Sequence, residues 1–130
     1  VADGYDVNTT IQYCYNTSAS HQAIAEAVQS DVNGVLGLNM QLSNQDWNVY
    51  TNGLAEGTFG LARLGWIADY NDAVTYLELF TIGTPYNYGR WVSEEYTSLI
   101  AQAKSLPGGA ERDALLYQAE NILFGGSLAE

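Results

Sequence analysis

Ala62-Arg63-Leu64-Gly65-Trp66-Ile67-Ala68-Asp69-Tyr70-Asn71-Asp72 is the stretch on which the reading of this chain turns. An apolar run of strand length ends on a tryptophan, and a carboxylate stands three residues later. A helical pattern through Val74, Leu77, Leu79 and Phe80 begins behind it. Strand, turn and helix in that order form the joint of an α/β sheet, and open α/β sheets take ligands outside the carboxyl ends of their strands. A half-solvated carboxylate there can hold a ligand ammonium through a charge-assisted hydrogen bond. The indole beside it offers a flat apolar wall, one donor and a face for a cation. The same spacing also fits an aspartate that caps the following helix, with the tryptophan in the core. On spacing alone both readings stand.

Working outward, residues 9–15 predict a strand from their β-branched and aromatic content, with Cys14 as a small buried hydrophobe. Ser18 and Ser20 offer caps for a helix with Ile24, Ala27, Val28, Val32, Val35 and Leu36 on its apolar side and Gly37 as its stop. Leu38-Asn39-Met40-Gln41-Leu42 alternates as a second, half-buried strand. Asn44 or Asp46 can cap a short helix over Trp47, Tyr50 and Leu54, and Gly57 turns the chain into a third strand at 58–65. After the turn comes a short helix to about Phe80 and a loop at 81–89. Ser93 then caps a helix that starts on Glu94 and Glu95 and faces Tyr96, Leu99, Ile100 and Ala103 inward. Pro107-Gly108-Gly109 breaks it. Leu115, Leu116, Ala119, Ile122 and Leu123 mark a last helix, which ends at Gly125-Gly126. Residues 1–8 read as loose, and residues 127–130 as lacking a regular element. This alternation predicts an α/β sheet with crossovers.

Composition narrows the function. Fifteen acids against four bases give a formal charge of −11, which excludes tracking a nucleic-acid backbone or an anionic membrane, since both need clustered bases. Arg63, Arg90, Lys104 and Arg112 are too scattered for such a patch. Only 15% of residues are charged, against about 25% in a typical domain. Ten tyrosines and many amides and hydroxyls supply the polar surface instead, which suits neutral ligands or covering by another lobe. With one cysteine, an internal disulfide and a cysteine-based zinc site are excluded. No apolar run approaches the ~18 residues of a membrane span, so direct membrane insertion of this segment is not expected. A hydrolase built on His21, Ser18, Ser20 and Asp31 lacks the sharp glycine-flanked nucleophile turn. No catalytic residue, metal ligand or cofactor is therefore assigned.

The order Arg-x-Gly-Trp-x-x-Asp-Tyr-Asn-Asp at 63–72 closely resembles the extracytoplasmic oligopeptide- and dipeptide-binding proteins of ABC importers, the family 5 solute-binding proteins. The likeness extends along the chain. Tyr15-Asn16-Thr17-Ser18 with His21 and Ile24-Ala25-Glu26-Ala27 resembles that family's entry into the first helix of its third domain. Leu36-Gly37-Leu38-Asn39, Trp47 and Tyr50 are similar to its next strand–helix unit. Asn87-Tyr88, Trp91, Glu95-Tyr96, Leu99-Ile100 and the helix from Glu111 to Leu123 fit its later loop and helices.

The resemblance implies a periplasmic-binding-protein type II-like α/β lobe, a small mixed sheet with helices packed on it, incomplete relative to the full two-lobe fold. It implies that residues 1–130 form a single domain, a fragment of the C-terminal lobe of a larger protein. That protein would capture peptides for ABC permease subunits without catalysis or cofactor, in the periplasm or on the outer face of the cell membrane. A lipid anchor would precede this segment, if there is one. On Asp69 the resemblance places the grip on the peptide α-amino group, and on Trp66 and Ile67 the lining beside it. Arg63 matches a basic position that approaches a peptide carboxylate in some members, although an arginine there also suits a structural ion pair. Asn87 and Tyr88 would border the cleft. Nickel or oligosaccharide cargo, or a structural domain without ligand, are the alternatives.

Overall fold

In the computed structural model, residue 6 and residues 8–125 are described. The expectations for 1–5, for 7 and for the stretch from Gly126 onward lie outside them. The described chain forms two compact units, Val1–Gly65 and Trp66–Glu130, and the boundary falls inside the stretch that opened the sequence reading.

The first unit is a three-stranded sheet in the order β2-β1-β3. Its strands are β1 (Thr10–Asn16), β2 (Asn39–Gln45) and β3 (Leu61–Ala62), with helices α1 (Ala19–Leu36) and α2 (Trp47–Glu56) between them. Both pairings are parallel, where a mixed sheet was expected. The cause is the connectivity: each strand reaches the next through a helix, and a helical crossover returns the chain in its original direction. β1 sends Tyr13 and Tyr15 into a core with Ala25 and Met40, flanked by Ile11, Val28, Val32 and Leu42. Strand alternation turns Cys14 the other way, and it is buried.

Three expectations shift in this unit. The buried stripe of α1 runs through Ala25, Val28 and Val32. Ile24, Val35 and Leu36 are instead exposed, at 46%, 80% and 63%, because the small Ala25 is what lets the helix settle on the tyrosines. In α2, Tyr50 and Leu54 are buried while Trp47, at the first helical position, is exposed. The third strand is only two residues long. Its predicted beginning is spent on ending α2: Gly57 takes the left-handed conformation, and Thr58 returns both its N–H and its hydroxyl to the Gly53 carbonyl. The Arg63 N–H continues the ladder with one bond to the Cys14 carbonyl, 2.9 Å.

At Met40 the outer edge of β2 is covered by side chains. The Met40 N–H donates to Asn33 Oδ1 (2.7 Å), and the carbonyl accepts from Asn33 Nδ2 and Gln29 Nε2. Amides from α1 thus satisfy backbone groups that an edge strand would otherwise leave open.

The second unit contains α3 (Val74–Leu77), a 3₁₀ turn (Glu78–Phe80), α4 (Glu94–Ser105) and α5 (Ala110–Phe124). Its core joins Val74, Tyr96, Leu99, Ile100, Ala103, Leu116 and Ala119, so the inward face expected of α4 is the observed one. Ser93 caps α4 as its sequence position implied, accepting from the Tyr96 N–H at 3.1 Å. Buried Tyr96 crosses to the neighbouring element and donates to the Leu77 carbonyl, 2.6 Å. Among the described residues, no helix is long and apolar enough to cross a membrane.

Candidate ligand-binding site

The site belongs to the second unit and is organised by α3. Two aspartates precede this helix, and they do different work. Asp72 accepts from the Val74 N–H at 2.8 Å, supplying a partner for one of the donors that a helix start leaves open. Both of its oxygens also accept from Arg112 Nη2 at 2.7 Å. That guanidinium holds the Asp72 carboxyl below its ordinary range, with the Val74 N–H adding to the effect. Arg112 Nε donates to the Ala103 carbonyl as well, 3.1 Å, so this α5 side chain joins α4 to the turn that leads into α3.

Asp69 is therefore not the helix cap. Its residue is exposed, and its carboxylate has one hydrogen-bond partner among the described residues, the Thr75 hydroxyl at 3.5 Å from Oδ2. Thr75, 1% exposed, also accepts from the Asp69 N–H (3.2 Å) and from the Trp66 indole (3.4 Å). Trp66 is half-buried and lies against Tyr86, ring centroids 4.7 Å apart and planes inclined by 59°. Trp66 and Asp69 line one cavity of about 360 Å³ with Tyr86, Thr84, Leu79 and Ile100. Glu78 and Lys104 also line it, and form an ion pair at 2.7 Å. That pair raises the lysine above its usual value, and Tyr70 donates to the other Glu78 oxygen.

The remaining sequence candidates fall in different settings. Ile67 is 90% exposed, directly beside Trp66 in the chain. Asn87 spends its side chain on its own loop, donating to the Trp91 carbonyl at 2.6 Å and accepting from the Trp91 N–H at 3.3 Å. Tyr88 is half-buried, and its N–H donates to the Tyr86 carbonyl. Arg63 belongs to the first unit. It enters no ion pair among the described residues, and its guanidinium lies over Gly65, where a Cβ would come within 3.4 Å of it.

Thr75, Tyr86, Glu78 and Lys104 escaped the sequence reading. Thr75 left one signal, a polar β-branched residue next to Val74 on the side of a short helix that has to be buried. Among the described residues there is no group of three or more His, Cys, Asp or Glu that could hold a metal ion. An exposed carboxylate with an aromatic wall can bind a cation or an amine.

The described chain is thus a small α/β piece in which a parallel sheet with helical crossovers is followed by a tryptophan–aspartate turn. The family model described as "Bacterial extracellular solute-binding proteins, family 5 Middle" matches residues 2–88, and the chain belongs to that family. It is 33% identical to the dipeptide-binding protein DppE of Bacillus subtilis over 121 residues, 93% of this chain and 22% of that protein. It is 34% identical to the periplasmic oligopeptide-binding protein OppA of Escherichia coli over 118 residues, 91% of this chain and 22% of that one. The solved structure of the E. coli murein tripeptide binding protein MppA superposes with a TM-score of 0.87 at 35% identity, covering 94% of this chain and 24% of MppA. The chain thus spans about a fifth of the length of the curated relatives it matches.

Proposed function

We propose that this chain carries one end of the peptide site of an ABC importer's solute-binding protein, with Asp69 holding the ligand's α-ammonium and Trp66 lining the space beside it. The observation that carries this reading is the division of labour between the two aspartates. Asp72 is committed to the Val74 N–H at the start of α3 and to Arg112, and Asp69 keeps an exposed carboxylate at the rim of an aromatic cavity. The names of the relatives, which specify dipeptides, oligopeptides and a murein tripeptide, support peptide as the cargo class.

In this reading residues 1–130 are part of the C-terminal lobe of a longer, two-lobed receptor that closes over its ligand like a hinge. The receptor works outside the cytoplasm, in a periplasm or on the outer face of the membrane with or without a lipid anchor, and delivers cargo to permease subunits. It performs no chemistry. Exposed Ile67 adds apolar contact next to Trp66, and Tyr88 borders the site. Arg63 is the candidate for a ligand carboxylate.

Titration calorimetry with short peptides tests the central assignment. Asp69→Asn keeps the shape and removes the charge. A hydrogen bond to a charged group contributes about 1.5–3 kcal/mol, so affinity is expected to fall roughly tenfold to a hundredfold. N-acetylated peptides, which lack the ammonium, should bind the parent and the variant alike. Equal affinity of the two proteins for free-amine peptides would overturn the anchor, and cleavage of the peptides would overturn the receptor.

A further inference from the structure

Thr75 has no role in the reading above, yet its hydroxyl makes three hydrogen bonds beside the site. A hydroxyl has one hydrogen to give and two lone pairs with which to accept. All three are in use: the Trp66 indole and the Asp69 N–H donate to Oγ1, and Oγ1 donates to Asp69 Oδ2. The partners are the two residues assigned to the ligand, bound through both backbone and side chain. At 1% exposure the hydroxyl has no water to turn to, so the direction of its hydrogen is set by these partners.

The scaffold behind Thr75 is fixed as well. It sits in the first turn of α3 next to buried Val74, and α3 is held at its start by Asp72, itself gripped by Arg112 from α5. The line of support runs from α5 through Asp72 to α3, and through Thr75 to the site. The three bonds are 3.2–3.5 Å long.

We propose that Thr75 is the positioning residue of the amine site. Its hydroxyl aims the Asp69 carboxylate and fixes the plane of the Trp66 ring, so that the ammonium meets a preformed pair rather than two independent rotamers. This deepens the assignment of Asp69 and rests on it. Preorganisation of this kind acts on the group that Asp69 binds, whereas a merely structural threonine would affect every ligand equally.

The experiment compares free-amine short peptides with their N-acetylated forms on the parent protein, Thr75→Val and Thr75→Ser. Valine matches the shape without the hydroxyl, and serine retains the hydroxyl. The parent should prefer the free amine. Thr75→Val should lose about tenfold of that preference, with the acetylated peptide little changed, and Thr75→Ser should restore it to within about twofold. In parallel, the Trp66 indole ¹⁵N–¹H resonance, identified by its disappearance in Trp66→Phe, should move in Thr75→Val and stay in Thr75→Ser. If Thr75→Val does not fold, Thr75→Cys takes its place with the same expected loss, because a thiol is a weak donor and acceptor.

Full amine preference in the valine variant, or equal weakening of both peptides, overturns the positioning role while leaving Asp69 as the anchor. A parent that binds free and acetylated peptides equally overturns the anchor itself. The two failures are distinguished by the parent alone.

Discussion

Two carboxylates three residues apart carry opposite duties here, and the difference lies in what reaches them. Asp72 meets a guanidinium and a helix N–H, and Asp69 meets solvent and one hydroxyl. The spacing in the sequence left open whether Asp69 was cap or ligand group. Arg112, which decides the matter for Asp72, comes from a helix forty residues away, beyond the reach of any local pattern. The pair makes a pH prediction. Arg112 lowers the Asp72 pKa in the folded state below its ordinary value of 3.8. The stabilisation is therefore fully present above that unfolded value and is lost as pH falls through the lower, folded one. Asp72→Asn keeps an acceptor for Val74 and removes the charge. The variant should melt below the parent at neutral pH, and the gap should close as pH falls below the ordinary value of 3.8 and through the lowered one. Thermal midpoints across that range give the comparison, and a gap that stays constant would show that the ion pair contributes nothing. Both side chains retain some solvent contact, 15% for Arg112 and 28% for Asp72, so added salt should narrow the gap.

Helices and their ends were the most legible elements, because their signals are local. Gly37 and Gly57 both stop helices in the left-handed conformation, at φ 65° and 75°. Ser93 caps α4, and the buried face of α4 is the one its spacing implied. Gly37→Ala should therefore cost about 1 kcal/mol in urea unfolding, since a Cβ at positive φ crowds the following carbonyl. Nothing lies within 4 Å of where that Cβ would sit, so the cost comes from the backbone alone, and an unchanged unfolding midpoint would contradict the argument. What the sequence did not yield depended on partners. Ile24 and Ala25 are equally plausible core residues by period, and close approach to Tyr13 and Tyr15 selects the smaller one. Thr58 has strand propensity, but its hydroxyl and N–H are more valuable to the end of α2. The Trp66–Asp69 turn was legible as a motif, and its support was not. Thr75 and Tyr86 enter the site through contacts across six and twenty residues of chain.

At the scale of the molecule, each compact unit contains a fully buried tyrosine, Tyr50 in the first and Tyr96 in the second, both 0% exposed. A chain with ten tyrosines reads as a polar aromatic surface, and nothing in composition tells which of them are core. Structure distinguishes these two by what their hydroxyls reach. Tyr50 donates to the Arg63 carbonyl at 2.5 Å, with the Cys14 carbonyl 3.2 Å from the same hydroxyl, which ties α2 to the segment after β3 and sets it beside β1. Tyr96 donates to the Leu77 carbonyl at the end of α3. Burial, above every other cause, pushes both phenols up to about 12 from an ordinary value of 10.0. The raised group is neutral when folded, so its contribution is intact below about pH 10. It declines between about pH 10 and 12, where unfolded chains release the proton and folded ones hold it. Stability should fall steeply across that interval in the parent protein. Tyr50→Phe and Tyr96→Phe should each begin about 0.5–1.5 kcal/mol lower at neutral pH, the contribution of an ordinary hydrogen bond, and should each lose less on going alkaline. Denaturant unfolding at stepped pH, with tyrosinate absorbance followed in the same samples, separates the two tyrosines. A parent whose stability is flat to about pH 12, or a phenylalanine variant with the full alkaline decline, would mean that the residue titrates in the folded state as it does in water.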